Sequence, residues 1–115
     1  MSHPERRLAV YGTLQPGAEN HHELDGLQGG WTRGVVRGKL YPNGHGAAAG
    51  YPGLVVDDAG EPVAVQVLES EDLPQHWERL DAFEGLGYRR IVVPVETGGG
   101  TVEACLYALS EAPDA

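Results

Sequence analysis

The segment Val63-Ala64-Val65-Gln66-Val67-Leu68, followed by Leu73-Pro74-Gln75-His76-Trp77-Glu78-Arg79-Leu80-Asp81-Ala82-Phe83-Glu84-Gly85, is where the periodicity of the chain changes. Val63 to Leu68 reads as a strand. From Pro74 the spacing is helical: Trp77, Leu80, Asp81 and Glu84 stand at offsets 0, 3, 4 and 7 and share one face. Pro74 suits the first helical position, where its missing N–H costs nothing. It also pushes Leu73 away from helical angles. Gly85 and Gly87 end the helix.

Working outward, the other apolar runs are short and read as strands. They are Leu8–Tyr11, Trp31–Tyr41, Tyr51–Val56, Tyr88–Val95 and Thr101–Leu109. Gly34 and Gly38 inside the second run predict bulges or sharp bends, as in a small barrel. Asp57-Asp58-Ala59-Gly60 reads as a hairpin connection and Gly98-Gly99-Gly100 as a turn into a hairpin partner. Pro94 marks an edge or a bulge. Asn20–Leu27 is expected to form a short helix. Asn43–Gly50 is a Gly- and Ala-rich loop, either plain surface or a cover over a substrate. Met1–Arg7 is a polar lead-in, and Ser110–Ala115 is expected to fray. Six strands around one clear helix predict an α+β fold: a small, mostly antiparallel β-barrel with flanking short helices, formed by residues 1–115 as a single domain.

Composition narrows the functional classes. The 115 residues carry 17 Gly and 8 Pro, set between apolar runs, which fits many short strands and tight loops. The net charge of −9 argues against a nucleic-acid partner, which requires a basic face, and against an anionic membrane surface. A single cysteine forms no internal disulfide. No apolar stretch approaches membrane-spanning length, and the start of the chain lacks a signal-like apolar core. These features lead to the expectation of a cytoplasmic protein.

Two stretches carry candidate chemistry. In Tyr11-Gly12-Thr13-Leu14 an apolar strand meets a glycine and a polar turn, which lets something small approach the main chain. The amides after Gly12 can point at an anion or a polarised carbonyl. Glu84 shares the inward helical face of Trp77 and Leu80, and desolvation there raises a carboxyl pKa toward the range of a general base. It also stands at the negative end of the helix dipole, which is unfavourable for an anion. The alternative for Glu84 is a frayed, exposed end or a pair with Arg89 or Arg90.

Other residue types carry less. His21-His22-Glu23 lacks the i, i+4 pair of a zinc helix, and His3, His45 and His76 are scattered, so no metal site is expected. Cys105 reads as a small core residue with no activating His nearby. Ser70 and Ser110 have no nucleophile elbow around them. The Gly-rich loops lack the Lys of a phosphate-binding loop. Asp57-Asp58 and Glu69-Ser70-Glu71-Asp72 read as solvated turns.

Taken together, Tyr11-Gly12-Thr13-Leu14, Gly17 and Asn20-His21 resemble the N-terminal signature of the gamma-glutamylcyclotransferase-like family, in its gamma-glutamylamine cyclotransferase branch. Tyr51-Pro52-Gly53-Leu54-Val55 is similar to that family's middle strand. Leu80-Asp81-Ala82-Phe83-Glu84-Gly85, with Tyr88, Arg90 and Val92, is similar to its catalytic segment. The match runs in order from about Leu8 to Leu109. The resemblance implies a compact barrel with flanking helices and no cofactor, Tyr11, Gly12, Thr13 and Leu14 as substrate-binding residues, and Glu84 as the acid/base. It implies a reaction that releases an amine from a small-molecule gamma-glutamyl compound as 5-oxoproline forms. Two departures stand out: Gln15-Pro16, where relatives often carry basic residues, and Val65-Gln66, in place of a common Gly-Glu.

The residues fit such a reaction on their own terms. The substrate's alpha-amine attacks its own side-chain amide, so no protein nucleophile is required. A base, an acid and oxyanion donors remain, which one carboxylate and a run of amides can supply. Two rival classes are a non-catalytic module binding gamma-glutamyl compounds on the same barrel and a structural or interaction domain, since one fold hosts many functions. The leaving amine and the oligomeric state stay open.

Overall fold

A computed structural model describes residues 3–11, 24, 26–41, 53–85 and 87–109. Six strands form one sheet: β1 (Arg7–Val10), β2 (Gly30–Tyr41), β3 (Gly53–Val56), β4 (Glu61–Glu69), β5 (Tyr88–Thr97) and β6 (Gly100–Leu109). The helix α1 (Trp77–Glu84) lies between β4 and β5, and short 3-10 turns occupy Pro4–Arg6 and Leu73–Gln75. The strand order is β3-β2-β4-β1-β6-β5, and a further pairing of β2 with β5 closes β2-β4-β1-β6-β5 into a five-stranded barrel. β3 is an extra strand on the open edge of β2. All pairings are antiparallel except β1–β6, which is parallel.

Alternation along the strands separates two apolar layers. Ala9, Val36, Leu54, Val65, Val67, Val93, Val95, Ala104, Leu106 and Ala108 fill the barrel. The opposite parity of β1, β4 and β6, with Leu8, Val10, Leu68, Cys105 and Tyr107, packs outward against Leu73, Trp77 and Leu80. A period of two therefore feeds both a barrel interior and a seat for α1. Leu8, Leu68, Leu73, Leu80 and Leu106 are fully buried, each worth about 1.5–3 kcal/mol of transfer free energy. Cys105 is a small buried residue of the outer layer, as its apolar strand suggested, and its thiol lies 3.3 Å from the Pro4 carbonyl.

Several details differ from the sequence reading. The helix does not begin at Pro74: a 3-10 turn over Leu73–Gln75 comes first, and α1 starts at Trp77. Leu73 is drawn into that turn against the preference of a pre-proline residue, because its side chain is fully buried in the outer apolar layer. Asp57–Gly60 is not a hairpin turn either. β3 and β4 are not neighbours but flank β2 on its two sides, so the turn crosses over β2. A Cβ on Gly60 would stand 2.7 Å from the Cα of Gly38, and only two glycines allow that crossing. Gly34 and Gly38 are not bulges: the β2–β4 register is unbroken from Gly30↔Glu69 to Gly38↔Glu61. Between them β2 changes partner along one edge, from β5 at Gly34 and Val35 to β3 from Gly38 onward. Ser70 is no solvated turn residue. It is 3% exposed, its amide donates to the Arg6 carbonyl, and its hydroxyl accepts the Asp72 N–H.

The β5–β6 hairpin matches the reading, with Tyr88↔Leu109 at one end and Thr97↔Gly100 at the turn. Pro94 pairs only with Glu103 of β6 among the described residues, and β5 joins β2 just at Glu96 and Thr97, so proline occupies an edge where no ladder donor is required. The Asn43–Gly50 loop and Ser110–Ala115 lie outside the described residues, as does most of the expected Asn20–Leu27 helix; of it, Leu24 is buried and Leu27 packs against the outer layer.

Candidate active site

Because β1 and β6 run parallel, their C-terminal ends finish side by side, next to the start of β5 and below the end of α1. Tyr11 and Glu84 both come to this end. Tyr11 follows β1 directly and joins the barrel interior. Its hydroxyl donates to the Tyr107 carbonyl of β6 and accepts the Leu54 N–H of β3 at 3.1 Å. The phenol thus ties three strands together where β3 and β6 share no ladder. Burial, aided by the charge of Glu84, pushes its pKa far above the ordinary tyrosine value, so it stays neutral. Tyr11→Phe leaves an amide and a carbonyl without this partner, and the expected cost is about 1–3 kcal/mol, read as a lowered urea midpoint.

Glu84 is the last residue of α1. Gly85 ends the helix at φ 74°, and its amide still donates to the Asp81 carbonyl at 3.0 Å. That positive φ favours glycine and turns the chain directly into β5. The Glu84 side chain is half-buried, and burial raises its carboxyl pKa from 4.5 to about 7. Among the described residues no cation offsets this rise. The charge of Glu84 also raises the pKa of Tyr107, just as it does that of Tyr11, so the three groups lie within electrostatic range of one another. Gly12, Thr13 and Leu14, the other three residues expected to bind substrate, lie outside the described residues, as do Gln15-Pro16.

Of the two cations expected as alternative partners for Glu84, Arg89 or Arg90, the second is committed elsewhere. Arg90 donates from Nε to Asp81 Oδ1 at 2.9 Å and from its terminal nitrogen to Oδ2 at 3.2 Å. The Tyr107 hydroxyl donates to the same Asp81 Oδ1 at 2.6 Å. The Arg90 guanidinium sits 4.6 Å from the centre of the Trp77 ring, and Trp77 meets Tyr107 edge-on at 6.4 Å. Trp77 Nε1 donates to the Glu5 carbonyl at 2.9 Å. Against the desolvation of Asp81, the hydrogen bonds from Arg90 and Tyr107 and the Arg90 charge hold its carboxyl below the usual range. Sequence reading placed Asp81 on the inward face but did not single out Tyr107. The signal was present in the alternation of β6, which puts Tyr107 on the same face as Cys105, and in the register that sets Tyr107 opposite Arg90.

A cleft of about 780 Å³ lies at the other end of β1, lined among others by Arg6, Arg7, Gly30, Glu69 and Ser70. Its charges are already paired, with Arg7 2.7 Å from Glu69 and Arg6 4.0 Å from Glu71. It contains neither Tyr11 nor Glu84. Val65, one of the two departures noted above, is a buried residue of the barrel interior. No helix among the described residues is long and apolar enough to cross a membrane.

Comparison with known proteins identifies relatives of the same fold. YkqA from Bacillus subtilis is 31% identical over 91% of this chain, with a TM-score of 0.71, and the chain spans 36% of that protein's length. An AIG2-like protein from Mus musculus is 26% identical, with 94% of this chain and 80% of that one covered and a TM-score of 0.71. An uncharacterised protein from Pyrococcus horikoshii is 28% identical over 94% of this chain and 80% of its own, with a TM-score of 0.58. No protein of curated function matches significantly. The profile of the family described as "Gamma-glutamyl cyclotransferase, AIG2-like" matches residues 8–115, from the first core leucine of β1 onward, and the chain therefore belongs to that family.

Proposed function

We propose that the protein is a cyclotransferase that converts a gamma-glutamyl amine or amide to 5-oxoproline and the free amine, with Glu84 as its acid/base. The observation that carries this reading is a carboxylate at the helix end, beside the C-terminal ends of β1 and β6, with a pKa of about 7 set by burial. A group that is half ionised near neutral pH takes and returns protons equally well.

In this reading Glu84 removes a proton from the substrate's alpha-ammonium group. The freed amine attacks the gamma carbonyl, and a carbon–nitrogen bond closes the five-membered ring. The tetrahedral centre then collapses as its bond to the leaving nitrogen breaks, and Glu84 delivers the proton to that nitrogen; the ring nitrogen gives up the second proton of the former ammonium group to the departing amine, which leaves as an ammonium ion beside the neutral lactam. Holding the two ends of one glutamyl group together is worth about 7–11 kcal/mol at the well-oriented limit. The amides of Gly12, Thr13 and Leu14 have the composition to hold the oxyanion or the alpha-carboxylate. Tyr11 serves by fixing the strand end from which those residues depart.

The test is a panel of gamma-glutamyl amines and gamma-glutamyl amino acids, assayed for 5-oxoproline and for released amine in equal amounts. Turnover of at least one member is expected. Saturable binding by calorimetry with no product from any member would replace this reading with a non-catalytic binding module.

A further inference from the structure

Asp81 and Glu84 stand one helical turn apart on the same face of α1, and residues at that spacing have Cβ atoms about 5–6 Å apart. Among the described residues, the titratable groups that interact around this helix end include Asp81 on α1 itself, Arg90 and Tyr88 on β5, Cys105 and Tyr107 on β6 and Tyr11 beyond β1. Arg90 is the one cation in that set. Its two nitrogens engage both oxygens of Asp81, its face covers Trp77, and Tyr107 completes the contact on Oδ1.

We propose that Asp81 is a positioning residue for the reaction: by clasping Arg90 and Tyr107 it pins the end of α1 to β5 and β6 and keeps Arg90 away from Glu84. This inference rests on the reading of Glu84 as the acid/base. An Arg90 released from Asp81 would form the ordinary carboxylate–guanidinium pair with Glu84, hold it ionised and remove its ability to return a proton to the leaving amine. The Asp81–Arg90–Tyr107 cluster therefore acts on the reaction through Glu84 and without touching substrate.

The experiment is a carbon-detected NMR titration of the Glu84 carboxyl in the full chain, with the signal assigned by its loss in Glu84→Gln. In Asp81→Asn the midpoint is expected to fall by about one pH unit, because an opposite charge within a few ångström favours the ionised form. The acid limb of kcat/KM is expected to move with it. In Asp81→Asn/Arg90→Gln, which removes the cation as well, the midpoint is expected to return toward that of the parent. A merely structural loosening of the helix end would lower both variants alike. That result, or an Asp81→Asn midpoint equal to the parent's, overturns the proposal. Should Asp81→Asn fail to fold, Arg90→Gln decides: an uncompensated Asp81 charge raises the Glu84 midpoint, and an unchanged or lowered midpoint overturns the proposal. The titration needs no substrate, so it stands apart from the identity of the reaction. Full activity of Glu84→Gln would instead remove the functional reading on which the proposal rests.

Discussion

Glu84→Gln is expected to lower kcat/KM for 5-oxoproline formation by about 10²- to 10⁴-fold, the range that a positioned acid/base supplies. Glutamine matches the carboxylate in size and leaves the apolar seat of α1 untouched, so circular dichroism should show the parent fold. What disappears is the proton carrier. The loss should fall mainly on kcat, because the backbone amides proposed to hold the substrate are not altered. In the parent, kcat/KM should rise with pH through about 7 as Glu84 ionises to its base form, and any residual activity of the variant should lack that limb. Undiminished turnover by the variant would end the assignment of Glu84.

The same substitution is expected to make the folded protein more stable in alkaline solution, by up to about 3 kcal/mol. The sign follows from proton binding. Glu84 has a folded pKa of about 7 against 4.5 for the ordinary group, so between these values the native state holds more of a proton than the unfolded chain. The contribution of Glu84 to stability is therefore greatest below 4.5, falls as pH rises through about 7, and stays reduced above it. Glutamine carries no charge to desolvate and removes this slope. Urea unfolding of parent and variant at several pH values measures it directly: the two curves should converge below 4.5 and separate across the window. A parent no less stable at high pH than the variant would mean that the ionised carboxylate is solvated or paired, contrary to its burial. A gain in stability with a loss of activity from one atom exchange is the pattern of a strained functional group.

Asp81 contributes in the opposite direction. Its carboxyl is held below the ordinary value by Arg90 and Tyr107, so its stabilisation is present above 3.8 and lost as pH falls through its folded pKa. The two acids of one helical face thus titrate in different ranges because one has partners and the other has only burial.

How much of this was legible in the sequence depends on the range over which each signal acts. The helical face of Trp77, Leu80, Asp81 and Glu84 was readable because a period of 3.6 is local, and Trp77 and Leu80 are indeed buried. The β5–β6 hairpin was readable from three successive glycines. The β3–β4 connection was misread because a turn sequence looks the same whether the next strand pairs with the last or crosses to the far side of a third. Only the packing of the Asp57–Gly60 turn over Gly38 distinguishes the two.

The sequence by itself determined that a strand leads into Tyr11, that a helix with an inward carboxylate ends at Glu84, and that both belong to a small α+β barrel of the AIG2-like gamma-glutamyl cyclotransferase family. Those properties rest on periodicity, on glycine at a helix end, and on short motifs in order. The tertiary structure alone decided that the Tyr11 hydroxyl joins β6 to β3, and that Arg90 pairs with Asp81. Tyr11 meets residues 96 and 43 positions away, and Tyr107 meets Asp81 across 26. Contacts at such separations are chosen by strand register and by competition among acceptors within a few ångström, neither of which a local pattern encodes.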